Sequence, residues 1–293
     1  MIGVMTIPAL TLNNGVRIPQ LGLGVWQATP EETERVVAFA IGEAGYRHID
    51  GAKAYRNEEA LGAGVRASGV PREEVFVTTK LWPTDFDDPR GALEASLDRL
   101  GFDYVDLYLI HWPNQDDAKR IEVWKRLEEA LGEGRTRAIG VANHERHHLD
   151  DLLREGSIVP AVNQVELHPN LPQHELRAFD ADHGIVTQAW SPLAGGPTTP
   201  WGRANPHGTA LREDPAIARI AEAHAKSPVQ VILRWHIQSG IVAIPKSVHE
   251  HRIAENAEIF DFELSPEELA AIDGLEVPDG RGRTGTHPDD GSW

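Results

Sequence analysis

The chain has 293 residues, of which 41% are hydrophobic and 25% charged, enough for one extensive core in a globular protein. Its 45 Asp and Glu against 28 Lys and Arg leave a net charge of −17. Such a surface repels nucleic acid and anionic membranes and obliges any anionic ligand to find a local basic patch. Cysteine is absent, which excludes disulfides, thiolate metal sites and thiol nucleophiles, and a cytoplasmic location is expected.

The opening MIGVMTIPALTL lacks the basic leader and small-residue cleavage site of a secretory signal. No apolar run approaches the ~18 residues that span a bilayer. Residues Ala9–Pro19, ALTLNNGVRIP, alternate apolar and polar around Asn-Asn-Gly, the pattern of a β-hairpin. Eight short β-type runs follow in order: LGLGVW, YRHID, VFVTTKLW, VDLYLIHW, RAIGVAN, AVNQVEL, IVTQAW and IVAIPKS. Several are nearly continuous apolar runs, as expected of strands covered on both faces. Amphipathic stretches separate them, among them PEETERVVAFAIGEAG, DPRGALEASLDRLG, IEVWKRLEEALGEG and DPAIARIAEAHAK.

Eight such units predict a (β/α)8 barrel, one domain over residues 1–293, with an N-terminal hairpin. A doubly wound sheet is the alternative, but no Gly-x-Gly-x-x-Gly opens a helix after a strand. The tail VPDGRGRTGTHPDDGSW, rich in Gly, Pro and Asp, reads as a long loop and is expected over the active-site mouth.

In a barrel, polar residues at the C-terminal ends of strands face that mouth. Asp50, Lys80, His111, Asn143, Gln164, Trp190 and Lys246 stand there. Each has an ordinary explanation: Asp50 as a helix cap, Lys80 as a solvated charge, His111 as a core histidine, Gln164 as a strand-end hydrogen bonder. Their shared location argues for chemistry, because chance would scatter them over both ends. A tyrosine, with a pKa of about 10, is a poor acid near neutrality unless an ammonium beside it stabilises the phenolate. Asp50, Lys80 and Tyr55 supply those parts if their strands are neighbours, and His111 could hydrogen-bond a carbonyl oxygen. The assembly suits proton transfer to an oxygen becoming an alkoxide, with hydride supplied by a cofactor.

The motifs GYRHIDGAKAYRNEEALG, TTKLW, DYVDLYLIHWP, IGVAN, VNQVELHP, AWSPLA and IPKSVHEHRIAEN resemble those of the aldo-keto reductases, in the same order and over nearly the whole chain. The resemblance implies a catalytic tetrad of Asp50, Tyr55, Lys80 and His111, with Tyr55 the general acid, and carbonyl reduction by NADPH without metal. It implies that Asn143 and Gln164 bind the nicotinamide carboxamide and that Trp190 stacks on its ring. Ser191, Leu193 and Val248 would be further cofactor contacts. Lys246, Ser247 and Arg252 would hold the adenosine 2′-phosphate, with Glu255 and Asn256 near the adenine. Trp26, Trp82 and Trp112 match aromatic positions of the substrate pocket.

Four residues depart from the family pattern: Gly51 for threonine, Ala142 and His144 for serine and phenylalanine, and Trp190 for tyrosine. Specificity is expected in the loop GGPTTPWGRANPHG and the tail, for a small-molecule carbonyl substrate and a monomeric enzyme. Two rival readings remain. A zinc hydrolase would use histidines such as those of NHERHH, which read instead as a solvated helix face. A non-catalytic NADP(H)-binding barrel, acting as a regulatory or structural subunit, would be expected to lack a tetrad member, and all four are present.

Overall fold

The computed structural model describes residues 7–195 and 211–291. Strands β1 (Ala9–Thr11) and β2 (Arg17–Pro19) form the expected antiparallel hairpin, with Leu10 opposite Ile18. Leu12 and Ile18 are buried against Phe76, Leu107 and Val162, so the hairpin caps the end of the barrel at which the strands begin.

The barrel strands are β3 (Leu23–Gly24), β4 (His48–Asp50), β5 (Phe76–Leu81), β6 (Leu107–Ile110), β7 (Ile139–Ala142), β8 (Val162–Glu166), β9 (Val186–Trp190) and β10 (Val242–Ala243). They pair in chain order, every ladder parallel. Parallel bridges Leu21–Ala243 and Gly24–Lys246 join the first strand to the last and close the sheet. The outer layer holds α1 (Pro30–Gly42), α2 (Glu58–Ala67), α3 (Pro89–Leu100), α4 (Asp117–Gly132), α5 (Arg146–Glu155) and α6 (His174–Asp182). It is completed by α7 (Pro215–His224), α8 (Pro228–Gln238), α9 (Glu250–Ala257) and α10 (Pro266–Asp273). This is the (β/α)8 barrel, with the main core between sheet and helices.

Every residue of β4 through β8 is buried, which explains their lack of alternation. Helix starts follow their sequence signals. Thr29 with Glu32 and Ser265 with Glu268 form capping boxes, while Asp88 and Asp214 cap helices that have proline in the first turn. α4 starts at Asp117, ahead of the apolar periodicity at Ile121, because Asp116 accepts the amides of Ala118 and Lys119. In α8, Gln230 through Ile237 are all buried, between the sheet and the neighbouring segments. Gly62 lets α2 and α3 meet: a Cβ there would lie 1.9 Å from the Leu100 carbonyl oxygen.

Candidate active site

The turn carrying Tyr55 is held on three sides. Lys53–Tyr55 form a 3-10 turn that ends in Arg56 with φ 58°, the left-handed region. Next, the buried Asn57 amide donates to the carbonyls of Val25 and Ala28 and to Thr33 Oγ1, at 2.9, 3.2 and 3.0 Å. Glu58, also buried, accepts from Thr79 Oγ1 at 2.6 Å and from Arg99 Nε at 2.8 Å, tying the turn to β5 and α3. Tyr55 therefore hangs at the mouth from a braced loop, with its ring half-buried.

Asp50 ends β4 and Lys80 lies near the end of β5, the adjacent strand. Lys80 Nζ donates to Asp50 Oδ1 at 2.5 Å, to the Gly51 carbonyl at 2.8 Å and to Tyr55 Oη at 3.3 Å. The other Asp50 oxygen accepts from Gln164 Nε2 on β8 at 2.7 Å, so Asp50 caps no helix. His111, just past β6, lies edge-on to Tyr55 and to Trp82, with centroids 5.7 and 5.1 Å away. Asn143 follows β7 with φ 59°, its amide donating to the His111 carbonyl at 2.9 Å. Its oxygen accepts from Trp190 Nε1 at 2.7 Å.

These contacts set the charges. Burial pushes the Tyr55 phenol up, and Asp50 adds to that, while Lys80 pulls it back by its charge and its hydrogen bond. The phenol is thus raised, not lowered as the lysine alone would suggest. Burial would lower Lys80, but Asp50 and Tyr55 outweigh it and keep the ammonium. Burial and the Lys80 charge hold His111 well below the usual histidine range, so the ring is neutral, and its buried Nδ1 has no partner among the described residues.

The remaining expected residues spread around the same face. Trp26 and Trp112, half-buried, follow β3 and β6. Ser191 follows β9 with φ 47°, and Leu193 packs partly on the core. Past β10, Lys246 is exposed and Ser247 buried, while Val248 is half-buried and its carbonyl accepts from Arg35. On α9, Arg252 is exposed, Glu255 half-buried and Asn256 buried. Neither Lys246 nor Arg252 has an ion-pair partner among the described residues, unlike the nearby Arg35, which pairs with Glu250. Of the expected specificity loop, all but Gly195 lies outside the described residues. A cavity of about 390 Å³ lined by His174, Arg177, Thr187 and Ser239 opens at the opposite face, away from this chemistry.

The family model of the aldo/keto reductase family matches residues 20–277. The chain belongs to the aldo-keto reductase family. It is 51% identical to morphine 6-dehydrogenase of Pseudomonas putida over 274 residues, 92% of each chain. It is 48% identical to glyoxal reductase of Bacillus subtilis over 283 residues, 95% of each. The crystal structure of an aldo/keto reductase from Brucella melitensis superposes with a TM-score of 0.85 at 46% identity, covering 93% of this chain and 99% of that one. The protein is accordingly a carbonyl-reducing oxidoreductase of a family that uses a nicotinamide cofactor. No helix among the described residues is long and apolar enough to cross a membrane.

Three of the four departures acquire local reasons in this reductase, and nothing in the structure explains Ala142. Leu61 Cδ1 lies 2.6 Å from where a Cβ on Gly51 would stand, so the leucine fills that space. His144 is buried, its Nδ1 2.9 Å from the Ala142 carbonyl. In Trp190 the indole N–H reaches the Asn143 oxygen. The solvated-face reading of NHERHH is corrected: His144 and His148 are buried and only His147 is exposed.

Sequence reasoning missed Glu166, fully buried at the end of β8. Its Oε1 accepts from the Thr284 amide and hydroxyl, both at 2.6 Å, and its Oε2 from the Gly285 amide at 2.9 Å. Burial would raise Glu166, but His168 and Thr284 outweigh it and hold the carboxylate below its usual range. The tail thus crosses the mouth: a Cβ on Gly285 would lie 2.6 Å from Trp190 Cη2, and the Pro288 carbonyl accepts from Gln115.

Proposed function

We propose that this reductase converts small reactive aldehydes and dicarbonyls to alcohols with NADPH, with Tyr55 as the proton donor. The observation that carries the reading is the buried Asp50–Lys80–Tyr55 hydrogen-bonded chain, which ends on a phenol at the mouth. The bound cofactor supplies hydride to the carbonyl carbon. Neutral His111 and the Tyr55 hydroxyl would hold the carbonyl oxygen, and Tyr55 would pass its proton as charge develops there. Lys80 would stabilise the phenolate left behind, and Asp50 would keep Lys80 charged and aimed.

The residues present fit a nicotinamide dinucleotide. Asn143 and Gln164 each keep an amide N–H beyond the contacts described, which suits a carboxamide, and half-buried Trp190 offers a ring face. Exposed Lys246 and Arg252, without carboxylate partners among the described residues, suit a phosphate dianion in a chain of net charge −17. The preference for dicarbonyls rests on the name of the Bacillus subtilis relative, and on half-buried Trp26, Trp82 and Trp112 just past the strand ends at the mouth.

The test follows absorbance at the nicotinamide band with glyoxal, methylglyoxal and larger aldehydes, using both cofactors. Tyr55→Phe, which keeps the ring, should lower kcat by at least ~10²-fold, the scale of a positioned acid, with cofactor affinity little changed. Near-normal turnover in that variant would remove Tyr55 from the role. Failure of the whole panel with cofactor bound would favour the non-catalytic barrel.

A further inference from the structure

α5 begins with two adjacent histidines, and the C-terminal tail returns to them from far along the chain. The Nε2 atoms of His147 and His148 lie 3.3 and 3.5 Å from a single oxygen, Oδ1 of Asp289. All three donor atoms fall within 4.8 Å of one another, and the two rings are 3.9 Å apart at 44°. Separations of 3.3 and 3.5 Å are long for a charge-assisted hydrogen bond, which draws N and O to about 2.7–2.9 Å. They match the edge of a tetrahedron of zinc–nitrogen and zinc–oxygen bonds of about 2.0–2.2 Å, an edge of roughly 3.3–3.6 Å.

From this convergence we propose that His147, His148 and Asp289 form a binding site for a divalent transition-metal ion of the zinc class, which fastens the tail to α5. Two imidazoles and one carboxylate are the donor set such ions favour over magnesium or calcium, which prefer oxygen alone. His147 and Asp289 are exposed, so an ion has an entry path, and a water would complete the four-coordinate shell. His148 is buried and therefore fixed in place.

One local cost limits the affinity. His148 Nδ1 accepts the Glu145 amide at 3.1 Å, a bond that places the neutral ring's proton on Nε2. Metal on Nε2 moves that proton to Nδ1 and releases the Glu145 amide, so binding is expected in the micromolar range rather than tighter. His287 stands next to the site, with Nδ1 3.8 Å from Asp289 Oδ2 and Nε2 4.0 Å from Glu145 Oε1, and Arg283 pairs with Glu145 at 3.2 Å. The tail then has two fastenings, the ion at Asp289 and the Glu166 carboxylate at Thr284 and Gly285. The site is separate from carbonyl reduction and stands or falls independently of it.

The experiment uses the full chain, stripped with chelator and titrated with zinc, with cobalt as the spectroscopic probe of tetrahedral geometry. One ion per chain should bind, raise Tm by a few degrees and protect the tail from trypsin at Arg281 and Arg283, while magnesium does none of these. His147→Ala and Asp289→Asn, both at exposed positions, should each weaken zinc binding by at least about tenfold. His249→Ala, in a second exposed histidine pair, should leave it unchanged. Absence of zinc binding at micromolar concentrations would overturn the assignment. So would binding that survives in both site variants, because the ion would then sit on other histidines.

Discussion

Lys80→Met isolates the contribution of the ammonium to the phenol. In the wild type Nζ lies 3.3 Å from Tyr55 Oη. At that distance a pair of unit charges in an effective dielectric of about 20 interacts by roughly 5 kcal/mol. The Tyr55 ring is half-buried, so solvent screens part of this, and the transition state carries only part of the phenolate charge. About 2–3 kcal/mol remains, which is a fall in kcat of roughly 30- to 150-fold. The sign on pH is definite. Reduction needs the protonated phenol, so the rate falls as pH rises through the phenol pKa. Removing a cation that holds this pKa down moves the basic limb to higher pH. The assay is kcat against pH at saturating cofactor, with Tm measured in parallel because Asp50 loses its ion-pair partner. Asp50→Asn/Lys80→Met removes that buried charge and should keep a reduced kcat with better folding. The reasoning fails if folded Lys80→Met turns over within threefold of wild type, or if its basic limb stays in place.

Three further outcomes are expected. Lys246→Ala/Arg252→Ala should erase a preference for NADPH over NADH of roughly 30- to 1000-fold in kcat/KM, the scale of two charge-assisted hydrogen bonds; equal use by the wild type would refute it. Gly285→Ala puts a methyl 2.6 Å from Trp190 Cη2, so KM for cofactor or substrate should rise several-fold while Tm changes little; unchanged KM values would show that the tail does not shape the mouth. Acid should destabilise the fold: burial lowers His48 and His236 to about 4, and His111 falls as well. Groups with depressed folded pKa values contribute stability above the unfolded value near 6.5 and lose it as pH falls toward 4, so Tm should drop over that window. Asp180, raised to about 7 by burial, acts in the opposite direction but is one group against five, since burial lowers His144 and His148 too. A Tm constant down to about pH 4.5 would contradict this.

The strand order, the hairpin and the convergence of Asp50, Tyr55, Lys80 and His111 on one face were legible because each is written locally. Buried parallel strands appear as apolar runs, Asn-Asn-Gly marks a turn, and an Asp, a Lys and a His at successive strand ends must share one face once the barrel closes. The burial of Gln230 through Ile237 in α8 was not legible, since it depends on what packs around the helix. The direction of the Tyr55 shift was misjudged for a related reason: a lysine neighbour can be read from sequence, but the depth of burial opposing it cannot.

Tertiary structure alone decided which polar groups spend their hydrogen bonds on one another. Gln164 reaches Asp50 across 114 positions, Trp190 reaches Asn143 across 47, and Glu166 takes three donors from Thr284 and Gly285 more than 115 positions away. Nothing in VNQVE separates Glu166 from a solvated carboxylate until the tail lies over it. Likewise, NHERHH is a run of polar side chains until Asp289 arrives opposite two of its histidines. Periodicity reports which face of an element is buried, whereas the partner of a buried polar atom is set by three-dimensional packing of segments with no pattern in common.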